Sequence, residues 1–182
     1  MANEKKTSVF EYIKPPLVLL LICMIMSGIL VFAYELTYVD TTGVITDKLR
    51  TGLDAQLSDS SACVMLTDFE AEGITSVIVD KEQNYCAFEL TVDGYAKDGL
   101  HLLVGIKDDA VSGISVLTIG ETPGLGTRVN DEGYLSTYYG VTDSDYTPDI
   151  ISGATYSSKG VDSAVRLAIE TYNERKGEIF GE

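Results

Sequence analysis

The chain has 182 residues, enough for one compact domain and an attachment. Its 13 Lys and Arg stand against 28 Asp and Glu, a formal net charge of −15, and an acidic body without a basic stripe excludes a nucleic-acid partner, whose phosphates it would repel. One histidine and three cysteines without a Cys-x-x-Cys pair argue against a metal site built from protein ligands alone.

Residues 1–14 carry Lys5, Lys6 and Lys14, and no charge follows from Pro15 to Tyr34. A helix rises about 1.5 Å per residue, so roughly 20 apolar residues cross a bilayer core. Residues 15–34 are therefore expected to be a transmembrane helix. A cleaved signal peptide fits less well. Its apolar run would be shorter, Val31-Phe32-Ala33 is a poor cleavage site, and Ile22 before Cys23 is too bulky for lipoprotein processing. Lysines precede the span, and Glu35 and Asp40 follow it. The positive-inside bias then puts residues 1–14 in the cytoplasm and residues 35–182 outside the cell (inner) membrane.

Residues 35–57 are expected to continue as helix, because Val44, Ile45, Leu49, Leu53 and Leu57 recur near helical spacing. Ser58–Ser61 marks a loop. Strands are expected over 75–79, 85–92, 102–106 and 113–119, separated by polar turns such as Asp80–Asn84 and Asp93-Gly94. Their even spacing predicts an antiparallel meander. A last helix is expected from near Ser158, with Val161, Ala164, Val165, Ala168, Ile169 and Tyr172 on one stripe and Gly177 as its cap. The fold class is α+β, an antiparallel sheet with flanking helices against one face or at its ends. Cys63 and Cys86 read as small buried side chains, although a disulfide is chemically permitted outside the cytoplasm. His101 is given no role, and no catalytic nucleophile–base pair is visible.

Two segments stand out. Glu121-Thr122-Pro123-Gly124-Leu125-Gly126-Thr127 follows a strand, and its glycines permit positive φ or close approach to a flat or anionic group. On local signs alone it is equally an ordinary hairpin loop. Asp149-Ile150-Ile151-Ser152-Gly153-Ala154-Thr155-Tyr156-Ser157-Ser158 runs into the last helix, whose unpaired N–H groups suit a phosphate. Helix capping accounts for Ser157 or Ser158. It does not account for Ser-Gly-Ala-Thr set behind an Asp.

Asp149 followed by Ser152-Gly153-Ala154-Thr155-x-Ser157 resembles the flavinylation motif of the FMN-binding domain family, and Glu121–Thr127 resembles that family's upstream segment. The resemblance implies FMN bound covalently to Thr155 as a phosphoester, made by a flavin transferase. It further implies that Ser152, Gly153 and Ala154 wrap the phosphate and that Glu121, Thr122, Leu125, Gly126 and Thr127 lie beside the isoalloxazine ring. Asp149 and Ser157 would complete the transferase's recognition sequence. Within the family, the layout of one anchor and one short outer domain is similar to the FMN-bearing subunit of the Rnf complex, the ion-translocating ferredoxin:NAD+ oxidoreductase. That implies an electron-transfer subunit among other membrane and peripheral Rnf subunits, not an independent enzyme. The alternatives are the corresponding subunit of the Na+-translocating NADH:quinone oxidoreductase and a stand-alone anchored flavoprotein domain. The acidic body predicts a lowered flavin potential. Gly94–Gly99 holds fewer glycines than the family's usual loop, and Ile119-Gly120 stands where a polar residue is common.

Overall fold

The computed structural model describes residues 9–37 and 43–181, with side chains from residue 13 onward. Lys5 and Lys6, on which the orientation of the span rests, lie outside the described residues. Helix α1 (Val9–Thr37) is wider than the expected span and contains Pro15 and Pro16. All its described side chains are exposed. It is long and apolar enough to cross a membrane. The remaining elements form a separate unit.

That unit is built on five antiparallel strands in sequential order. They are β1 (Val64–Leu66), β2 (Ile74–Asp80), β3 (Tyr85–Val92), β4 (Leu100–Lys107) and β5 (Ala110–Ile119). The meander follows from short turns. Asp108 and Asp109 both adopt positive φ, 51° and 68°, as a two-residue turn between β4 and β5 demands. Successive side chains point to opposite faces, so β3 sends Cys86, Phe88 and Leu90 into one core, and Tyr85 and Ala87 into another.

The first core is closed by α4 (Thr155–Phe180). The expected stripe of Val161, Ala164, Val165, Ala168, Ile169 and Tyr172 is wholly buried against the sheet. At about 1.5–3 kcal/mol for each large side chain, this burial outweighs the helix cost of Gly160, about 1 kcal/mol. A set of buried and half-buried tyrosines fixes its flank. The Tyr134 and Tyr138 hydroxyls lie 2.9 Å apart, and the Tyr146 hydroxyl donates to Asp162 at 2.7 Å.

The structure departs from the sequence expectations in four places. The helix expected over 35–57 is not continuous. Gly43 has φ +79° and Thr46 caps a fresh helix, α2 (Asp47–Asp54), while residues 38–42 lie outside the described residues. Second, α2 covers the other face of the sheet, so helices flank both faces. Leu49, Leu53 and Leu57 pack there with Ile78, Tyr85, Ala87 and Leu103. Third, α4 begins at Thr155, three residues before Ser158, and passes through Gly177 to end at Gly181 (φ +74°). Its backbone leaves helical geometry at Arg175, whose guanidinium sits 3.9 Å from the Phe69 ring centre and donates to the Glu70 carbonyl at 2.6 Å. Finally, β1 and the short helices between β5 and α4 carry no periodic signal. These are a 3-10 turn over Gly126–Asn130, α3 (Glu132–Leu135) and a 3-10 turn over Ser136–Tyr138.

Cys63 and Cys86 are both free and buried, and they belong to the two different cores. His101 Nε2 and Glu89 Oε1 lie 2.8 Å apart, and the other Glu89 oxygen accepts from Ser76.

Candidate cofactor site

The loop after β5 turns tightly because its residue types require it. Pro123 holds the second position of the turn and Gly124, at φ +74°, the third. The amides of Leu125, Gly126 and Thr127 all donate to the Thr122 carbonyl, at 3.2, 3.0 and 3.3 Å. Thr127 Oγ1 accepts from the Gly124 amide at 2.9 Å. Gly126 then opens the 3-10 turn and passes close to α4. A Cβ there would stand 2.7 Å from Ser157 Oγ and 2.8 Å from Glu121 Cβ.

The loop before α4 repeats this device. Gly153 has φ +84°, and the Ala154 amide donates to the Ile151 carbonyl at 2.9 Å. Arg128 of the first loop donates to the Ser152 carbonyl at 3.1 Å, and a Cβ on Gly153 would meet Leu125 Cδ1 at 3.2 Å. The two loops are thus joined. Ala154 occupies the N-cap position, so no side chain caps the 26-residue α4, and its first turn holds no Asp or Glu. Such an uncapped start leaves N–H groups and the positive end of the helix dipole for an anion.

The serines do other work than capping. Ser158 Oγ accepts from the Ile151 amide at 3.1 Å, and Ser157 Oγ donates to Glu121 Oε2. Both are buried, whereas Thr155 is exposed at the first position of α4.

Glu121 is 5% exposed, and its carboxylate is fully engaged. The amides of Tyr95 and Ala96 donate to it at 3.0 and 3.1 Å, and Ser157 supplies the third bond. Burial pushes the carboxyl up. The bonds from Ser157, Tyr95 and Ala96 together outweigh burial and hold it below its usual range, so it is charged. Glycines surround it. A Cβ on Gly94 or on Gly99 would stand 2.5 Å from Oε1. The glycines of the 94–99 loop are therefore spent on closing around this carboxylate.

These elements enclose an open cavity of about 290 Å³. It is lined by Glu121, Thr122, Leu125, Gly126, Gly153, Ala154, Thr155 and Ser157 of the expected set. Ser152 and Thr127 do not line it but take part in the hydrogen bonds of the two loops, and Asp149 is exposed upstream. Two lining residues were not anticipated, Tyr95 and Tyr156. Their signal is slight. Each is a lone tyrosine between small or polar neighbours, Gly94-Tyr95-Ala96 and Thr155-Tyr156-Ser157. Arg128 was also missed, because only the fold brings it to the Ser152 loop.

The lining fits a flavin nucleotide. An apolar and aromatic wall suits a flat ring, and the helix start, with the exposed Thr155 at its first position, suits a phosphate. Among the described residues there is no cluster of His, Cys, Asp and Glu that could hold a metal.

Residues 94–170 match the FMN-binding domain family. The matched stretch runs from the loop around Glu121 through β4, β5 and both turns into α4. That stretch is similar to an FMN-binding domain, and FMN is the cofactor that such a domain implies. A search of the curated proteins finds no match.

Proposed function

We propose that this chain is a membrane-anchored electron carrier, with FMN joined through its phosphate to Thr155 Oγ. The observation that carries the reading is the position of Thr155. It is exposed at the uncapped start of α4 and lines the cavity with Glu121, Leu125 and Gly153. Neighbouring hydroxyls are less suitable. Ser157 and Ser158 are buried and hydrogen-bonded, and Ser152 does not line the cavity.

On this reading Ser152, Gly153 and Ala154 shape the backbone around the phosphate, and the first N–H groups of α4 face its charge. Arg128, bonded to the Ser152 carbonyl, brings a guanidinium to the same loop. Thr122, Leu125 and Gly126 border the ring. Thr127 acts through the turn it closes. Asp149 and Ser157 complete the sequence a flavin transferase reads during maturation. FMN supplies the redox chemistry, and this chain supplies position, charge and exclusion of water. A covalent link suits a domain outside the cytoplasm, where a dissociated cofactor would not be replaced.

We assign α1 as the anchor, with residues 1–14 cytoplasmic, 15–34 spanning the membrane and 35–182 outside. The complex is proposed to be Rnf, the ion-translocating ferredoxin:NAD+ oxidoreductase, with its other subunits as partners. The corresponding subunit of the Na+-translocating NADH:quinone oxidoreductase is the alternative. Affinity purification of the full chain from its native membrane, in mild detergent, tests the assignment. A co-purifying ferredoxin-like iron–sulfur subunit supports Rnf. A flavin-dependent NADH dehydrogenase subunit points to the quinone reductase, and a chain without redox partners to a stand-alone carrier.

A further inference from the structure

Tyr95 and Tyr156 are 75% and 66% exposed, more than any other aromatic side chain among the described residues of the domain. Both line the cavity beside Thr155. Leaving a large aromatic side chain in water forgoes about 1.5–3 kcal/mol of burial. Most other aromatic rings of the domain are buried or half-buried. Two bare rings at one cavity therefore form a surface suited to a flat apolar cover.

The geometry defines how such a cover sits. The ring centres are 6.2 Å apart and the planes meet at 69°. A flat ligand between them would need parallel faces about 7 Å apart, twice the contact distance. It cannot enter that way. It can lie on the free face of one ring, with the other ring closing on its edge. Tyr156 is fixed by α4, next to Thr155. Tyr95 is fixed by the Glu121 carboxylate, which holds its amide at 3.0 Å and bonds Ser157 of α4 at the same time. One carboxylate thus sets the spacing of the two tyrosines.

We infer that Tyr95 and Tyr156 are the contact platform for the isoalloxazine ring, and that Glu121 is the positioning residue that holds Tyr95 in place. The inference rests on the FMN attachment proposed above. A stacked phenol donates electron density to the ring, quenches its emission and favours its electron-poor oxidised form.

The test uses the full chain in detergent, loaded by an active flavin transferase. Emission is read per attached flavin, counted by absorbance of the denatured chain. Tyr95→Leu and Tyr156→Leu, both at exposed positions, each raise the emission, and the double variant raises it several-fold. Tyr156→Phe raises emission while keeping the visible circular dichroism of the stacked ring. Glu121→Gln raises emission in the wild-type background but adds little once Tyr95→Leu is present, as expected for residues acting as one unit. A loaded wild type and double variant with equal emission and equal dichroism would overturn the platform and leave the attachment standing. A wild type that takes up no flavin would defeat both.

Discussion

Ser157, in the first turn of α4, donates its hydroxyl to the buried carboxylate of Glu121. The bond joins the two sequence segments that looked most like a cofactor site. It gives each residue a role that neither segment shows by itself. Ser157 holds the helix start to the loop, and Glu121 passes that hold to Tyr95 and Ala96. Glu121 lines the cavity in which the flavin ring is proposed to lie. Its oxygens, however, are already taken by three donors of this chain.

Removing that carboxylate should be expensive. Glu121→Ala strands two amides and a hydroxyl in a buried site, at about 2–3 kcal/mol, given that hydrogen bonds to charged groups are the stronger ones. Thermal unfolding of the full chain in detergent, followed by circular dichroism, should show a clear fall in midpoint. Ser157→Ala removes one of the three bonds and should fall less.

The same carboxylate gives the domain an acid limit. Its folded pKa is depressed, so its contribution is fully present above the unfolded value near 4.5 and is lost as pH falls through the lower folded value. Stability of the wild type should therefore drop more steeply below pH 4.5 than that of Glu121→Gln. Hydrogen exchange at the Tyr95 and Ala96 amides should accelerate over the same range in the wild type alone.

Gly124 and Gly126 are two residues apart but should respond differently to alanine. Gly124 has φ +74° and open space around its missing Cβ, so Gly124→Ala costs only backbone strain, about 1–2 kcal/mol. Gly126→Ala drives a methyl against Ser157 Oγ and Glu121 Cβ, both within 2.8 Å. We expect about 1–3 kcal/mol from overpacking, together with reduced flavin loading, because the clash lies between the two loops. Gly124→Ala should load normally once folded. In-gel flavin fluorescence separates the two.

Neither cysteine of the sheet-bearing unit should react while the domain is folded. Burial pushes the Cys63 thiol up to about 11 and the Cys86 thiol higher still, and the thiolate is the reactive form. They also lie in cores on opposite faces of the sheet, out of reach of one another. In a Cys23→Ser chain, a thiol reagent should find no rapid site before denaturation and two afterwards. A disulfide recovered from the native chain would contradict this.

Much of the fold can be read from the chain alone. The strand over 85–92 and the stripe on α4 are periodic, and the structure has both. The signal fails where local chemistry is overruled by distant contacts. Residues 43–46 leave the helix because Gly43 turns with positive φ and Thr46 starts a new one. Gly177 looks like a stop, yet α4 continues to Ile179, which is buried in the first core. The candidate site was legible as two motifs because both need glycine and small residues at fixed positions. Their meeting was not, since it depends on Glu121 and Ser157, 36 residues apart. Tyr95, Tyr156 and Arg128 were invisible for the same reason.

The central claim is covalent FMN on Thr155. The most direct measurement is flavin fluorescence on a denaturing gel of the full chain expressed with an active transferase, in wild type and in Thr155→Val. The account predicts a fluorescent band at the mass of the wild-type chain and none in the variant. A dark wild-type band beside a fluorescent control substrate, or a variant band as bright as wild type, would contradict it.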